Sequence, residues 1–66
     1  MGNRLKECRL EAGMTQEAVA NAIGVTRQTV IAMEKGNYVP SVLLALMSAK
    51  LFSRSVEELF YVVESR

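Results

Sequence analysis

Thr15-Gln16-Glu17-Ala18-Val19-Ala20-Asn21-Ala22-Ile23-Gly24-Val25-Thr26-Arg27-Gln28-Thr29-Val30-Ile31-Ala32-Met33-Glu34-Lys35-Gly36 is the stretch on which the fold turns. Thr15 suits an N-cap, because a side-chain oxygen there can accept an amide hydrogen that the first helical turn leaves free. Beyond it Val19, Ala20 and Ile23 recur at helical steps until Gly24 breaks the pattern. Thr26 can cap a second helix, whose Val30 and Met33 share a face and which should end at Lys35-Gly36-Asn37. Two helices joined by so short a glycine-containing turn form a helix-turn-helix, and the second helix of such a unit can enter the major groove of DNA. The register has a physical reason at each position. Ala20 is small where the helices cross, Gly24 can take the positive φ of the turn, and Val19, Ile23, Val25, Val30 and Met33 supply an apolar wedge.

Upstream, Asn3 to Ala12 places Leu5, Cys8 and Ala12 at helical spacing before Gly13, which predicts a first helix. Downstream, Pro40-Ser41 is a stop followed by an N-cap, and the run from Val42 continues as a fourth helix to about Leu51. Ser53-Arg54-Ser55 interrupts it. Ser55 with Glu58 then forms a capping box that opens a single-turn helix ending near Phe60. The tail, Tyr61-Val62-Val63-Glu64, turns aromatic and β-branched, which favours a strand. A lone strand needs another edge, and with no second strand evident in the chain the expected partner is the same tail from another copy.

Composition narrows the function. The chain has 66 residues, 8 Lys+Arg against 7 Asp+Glu, and a net charge of +1. That length predicts a single domain over residues 1–66, which buries only about 60% of its unfolded surface and gains from self-association. Cys8 is the only cysteine, there is no histidine, and every acidic residue is a glutamate. Metal clusters and Ser/His/Asp or Cys/His catalytic sets are therefore absent, so neither an enzyme nor a cofactor is expected. Cys8 reads as a small buried thiol without a function. No apolar run approaches the roughly 18 residues of a membrane span, and Met1 to Lys6 lacks the apolar stretch of a secretory signal, so a cytoplasmic protein is expected.

The helix-turn-helix residues carry a resemblance. Thr15-Gln16-Glu17-Ala18-Val19-Ala20, Gly24-Val25-Thr26-Arg27-Gln28-Thr29-Val30 and Glu34-Lys35-Gly36 resemble the Cro/cI-type (XRE family) repressors, and Arg9, Pro40-Ser41 and Ser55-Val56-Glu57-Glu58-Leu59-Phe60 fit the flanks. The resemblance covers about Leu5 to Phe60. It implies an all-α, five-helix, lambda-repressor-like domain with a short C-terminal β-strand, the helix-turn-helix lying at about 15–35. It also implies binding of double-stranded operator DNA, usually as a homodimer, with a tail at about 60–65 like those that pair across a dimer axis. By the same resemblance Gln16 bonds a phosphate and buttresses the first recognition residue, Lys35, Asn37 and Tyr38 run beside the phosphates, and Arg9 and Glu34 form an internal salt bridge.

Helical geometry then selects the reading face. With Val30 toward the core, Gln28, Ile31, Ala32 and Lys35 point broadly outward, and Arg27 and Thr29 lie on the flanks. Arg27 can reach guanine O6/N7, Gln28 can pair with adenine, and the methyls of Thr29 or Ile31 can meet a thymine methyl. The hydroxyls of Thr15 and Thr26 can either cap their helices or bond a phosphate, and Thr26, at the start of the recognition helix, is a phosphate candidate.

Two features depart from the family pattern. Arg27 and Lys35 are offset by Glu17 and Glu34 within the motif, so few ionic phosphate contacts and a modest salt dependence are expected. Leu43 and Met47 stand where the family is usually polar, and Ser48 where it is usually apolar. Either Leu43 and Met47 join Phe60, Tyr61, Val62 and Val63 in a subunit interface, or the helix is rotated and both lie in its own core. The expected function is a sequence-specific regulator, a homodimeric repressor on a near-palindromic site. The alternatives are an antitoxin-type module that binds DNA and a toxin, and a protein-interaction scaffold.

Overall fold

The computed structural model describes residues 2–63. A short strand β1 (Gly2–Asn3) leads into α1 (Leu5–Glu11), α2 (Gln16–Ile23), α3 (Arg27–Glu34), α4 (Val42–Phe52) and α5 (Val56–Leu59), and the order closes with β2 (Phe60–Tyr61). Hydroxyl caps set four of the helix starts. Thr15 accepts from the Ala18 amide at 3.0 Å, Thr26 from Thr29 at 3.3 Å, Ser41 from Leu44 at 3.1 Å and Ser55 from Glu58 at 3.1 Å. Each cap satisfies a donor that would otherwise be free.

The turn between α2 and α3 depends on Gly24, whose φ of 76° lies in the left-handed region and lets the chain reverse at once into Thr26. α3 ends in a Schellman pair. Asn37 N–H donates to the Ala32 carbonyl at 2.9 Å and Gly36 N–H to that of Met33 at 3.0 Å, with Gly36 at φ 80°. α2 packs against both α3 and α4, α1 against α3, and α5 on α4. Leu5, Val19, Ala20, Val30, Met33 and Leu59 are almost wholly buried between them.

Both chain ends differ from expectation. The first helix was expected from Asn3, but Gly2 and Asn3 form β1, which pairs antiparallel with β2 in the register Gly2↔Tyr61, Asn3↔Phe60. The tail therefore has an intrachain partner, contrary to the expectation that the chain holds no second strand. Since β1 is two residues long, the ladder stops at Tyr61, and Val62 and Val63 continue exposed outside it. Glu64 and Ser65, the rest of the expected tail, lie outside the described residues. Phe60 was expected in a subunit interface and instead packs into the chain's own core. The reason is the pleat: alternate residues face opposite ways, and Phe60 faces in while Tyr61 faces out.

α4 is rotated as the buried Ser48 requires. Its hydroxyl donates to the Leu44 carbonyl one turn back at 2.9 Å, which satisfies the group inside an apolar environment. The same rotation leaves Leu43 68% and Met47 37% exposed, so neither completes the core of this chain.

Candidate nucleic-acid interface

The site is built around one buried ion pair. Arg9 Nε donates to Glu34 Oε2 at 2.6 Å, with side-chain exposures of only 10% and 5%. The other guanidinium nitrogens reach Glu34 Oε1 at 3.3 Å and the Met14 carbonyl at 3.1 Å. Gln16 Nε2 donates to the same Glu34 oxygen at 3.2 Å. Charge removed from water needs this degree of pairing, and no buried side-chain nitrogen or oxygen among the described residues lacks a partner. The network fastens α1, the loop before α2, the first turn of α2 and the last turn of α3 to one another. It thereby fixes how far α3 projects.

Gln16, expected to bond a phosphate and buttress the first recognition residue, gives one of its two amide hydrogens to Glu34. A carboxylate fixed by Arg9 is the stronger acceptor, and the amide oxygen of Gln16 faces no recorded donor among the described residues. Thr26 and Thr29 share the start of α3: their hydroxyl oxygens lie 3.2 Å apart, so capping occupies Thr26.

Above the network lies an open concavity of about 750 Å³, walled by α1, the first turn of α2 and α3. Arg27, Ile31 and Lys35, at successive helical turns, line it from α3, with Thr15, Gln16 and Glu17 opposite. Arg27 and Gln28 are exposed at the start of α3, Thr29 and Ile31 are half-buried, and Lys35, Asn37 and Tyr38 are exposed at and beyond its end. Lys6, which sequence reasoning passed over, also lines the concavity from α1. It stands one turn before Arg9 on the same helix face, so the Arg9–Glu34 pairing was the signal that could have found it. Lys6, Arg27 and Lys35 thus surround the opening, while Glu34 is neutralised by Arg9. Tyr61, Val62 and Val63 lie exposed beyond α5, outside this face.

A hydroxyl-capped helix that presents Arg27, Gln28 and the half-buried Ile31 beside a concavity edged by Lys6, Arg27 and Lys35 is the arrangement of a major-groove reader. Among the described residues no group of acidic, cysteine or histidine side chains could hold a metal ion, and no helix is long and apolar enough to cross a membrane.

Comparison with known proteins agrees with this class. The helix-turn-helix family matches residues 5–59, and the chain belongs to it, in the XRE-type branch of DNA-binding transcriptional regulators. The HTH-type transcriptional regulator YgzD of Bacillus subtilis is 52% identical over 64 residues, covering 97% of each chain. An HTH-type transcriptional regulator of Methanocaldococcus jannaschii is 48% identical over 60 residues, 91% of each chain. Among solved structures, the restriction-modification controller protein C.AhdI from Aeromonas hydrophila superposes with a TM-score of 0.78 at 33% identity, covering 86% of each chain. The family is one of DNA-binding regulators and not an enzyme class.

Proposed function

We propose that this protein is a cytoplasmic, sequence-specific repressor, a single domain over residues 1–66 that occupies a near-palindromic operator as a homodimer. The observation that carries the reading is the outward face of α3, where Arg27, Ile31 and Lys35 line one side of an open concavity that the buried Arg9–Glu34 pair holds in shape. Arg27, Gln28, Thr29 and Ile31 read base edges. Gln16, Lys35, Asn37 and Tyr38 position the protein on the phosphates, together with Lys6 and, through whatever capacity its cap leaves, Thr26. A net charge of +1 gives each subunit little electrostatic grip, so two subunits with recognition helices about 34–36 Å apart supply the footprint. Leu43 and Met47, with Tyr61, Val62 and Val63, offer exposed apolar surface for that pairing. Phe60 is not part of it.

The test is selection of duplexes from random DNA by the full chain, followed by Arg27→Ala on the recovered duplex. The substitution should cost about 1–3 kcal/mol on that duplex and far less on a scrambled one, with the melting temperature unchanged. Equal loss on both duplexes refutes base reading by Arg27. The exposed α4 face also favours a second reading, an antitoxin-type module that covers this face with a protein partner. A wild-type chain that sediments as a monomer at high concentration would support that reading over the homodimer.

A further inference from the structure

Asn3 joins three elements, α1 and α3 through its side chain and β2 through its backbone. Its Oδ1 accepts the Leu5 amide hydrogen at 3.1 Å, which starts α1, and its Nδ2 donates to the Met33 carbonyl at 2.7 Å, in the last turn of α3. Its backbone pairs with Phe60 in β2, and the next residue, Arg4, donates its amide hydrogen to the Leu59 carbonyl at 2.8 Å. Around this joint the tail closes over the amino terminus. The Tyr61 ring lies directly on Gly2, where a Cβ would collide with it, and the Arg4 guanidinium stands 5.1 Å from the ring centre.

Met33 does not need Asn3 for satisfaction, since its carbonyl already accepts Gly36 N–H within the Schellman pair. The Asn3 bond therefore adds position to the end of α3. We infer that β1 is a strap between the tail and the recognition helix, with Asn3 as the residue that sets the tilt of α3. This inference rests on the DNA-reading role proposed above for α3. The lever is short: α3 has 8 residues and is about 12 Å long, so a 1 Å shift of its far end tilts it by about 5°. That tilt moves Ile31 and Lys35 relative to the groove while the Thr26 cap holds the other end. Strand β2 holds the backbone of β1 while the Asn3 side chain holds α3, so loosening the tail frees the strap.

Asn3→Ser isolates the strap, because a serine hydroxyl can still accept the Leu5 amide hydrogen but is too short to reach Met33. In the full chain it should leave the melting temperature within a few degrees of wild type. Hydrogen exchange at the Gly36 and Asn37 amides should speed up about tenfold, with Val19, Ala20 and Ile23 unchanged. Ending the chain after Phe60, which removes Tyr61 from Gly2, should produce the same local acceleration at a distance. On duplexes recovered by the wild-type chain from random DNA, Asn3→Ser should cut the ratio of affinity for recovered over scrambled sequence at least fivefold. Unchanged exchange at Gly36 and Asn37, or acceleration spread evenly through α2, overturns the strap. Equal affinity loss on both duplexes overturns the positioning role. A wild-type chain that recovers no duplex defeats the DNA-reading role and leaves the exchange experiment to decide the strap by itself.

Discussion

Glu34 accepts hydrogen bonds from both Arg9 and Gln16 while almost wholly buried, so removing it strands a guanidinium inside the protein. Breaking a buried pair from one side costs about 3–5 kcal/mol, which is a large share of the stability of a chain this short. Glu34→Ala should therefore lower the urea-derived unfolding free energy by about that amount, and Glu34→Gln by less, because the amide oxygen still accepts from Arg9. A loss below about 1 kcal/mol for Glu34→Ala would mean that water enters and solvates Arg9. At this scale the sequence is legible unevenly. Helical phase alone puts Gln28 and Ile31 on the outside of α3 and Arg27 on its flank. The partners Arg9 and Glu34 stand 25 residues apart, and no local pattern joins them; only the family resemblance did. Gln16 shows what resemblance leaves out, because one of its amide hydrogens goes to the particular carboxylate beside it.

The starts of α2 to α5 were readable because each is decided by a single hydroxyl acting three residues ahead, at Thr15, Thr26, Ser41 and Ser55; α1, which has no such cap, was expected two residues early. α5 depends most on this chemistry, having one turn and both halves of a capping box: Glu58 Oε1 accepts the Ser55 amide at 2.8 Å, and Ser55 Oγ accepts that of Glu58 at 3.1 Å. The Ser55 backbone bond, joined by the Ser55 hydroxyl and the Arg54 charge, draws the Glu58 carboxyl below its ordinary acidity range. A carboxyl whose folded pKa is depressed stabilises the fold above its unfolded value, about 4.3, and loses that contribution as pH falls through the lower folded value. Glu58→Gln keeps an acceptor but not the charge. The stability gap between wild type and Glu58→Gln in urea unfolding should thus be present at pH 7 and close on acidification. A gap that stays constant down to pH 3 would detach the box from the ionised carboxylate. Backbone conformation at the breaks and the strands was harder to read. Ser53 reads as a break, yet nothing in a serine announces its left-handed φ of 55°. β1 is two residues long and has no period, so its strand character comes only from the tail laid beside it.

Across the whole molecule the unexplained surface is α4, an 11-residue helix with Lys50 as its one charged residue. Its inner side fills the core through Leu44 and Ala49, while Val42 at 78% and Leu46 at 55% exposed extend the patch that Leu43 and Met47 begin. Periodicity cannot orient a helix that is apolar all round, which is why Val42 and Leu46 escaped the sequence reading and Leu43 and Met47 were found only as departures from a family pattern. A patch of this kind on a small protein marks an interaction surface. If a second copy covers it, charge placed there must break the pair without touching the core. Leu43→Lys with Met47→Lys should convert a sedimenting dimer to a monomer with the helical circular dichroism intact. Affinity for a two-half-site duplex should fall about 100-fold or more, and affinity for a single half-site should hardly change, because only the linkage between two reading heads is lost. A dimer that survives both substitutions would move the clamp to Tyr61, Val62 and Val63. The outer edge of β2 would then have to pair with its copy, and ending the chain after Phe60 would dissociate what the lysines did not.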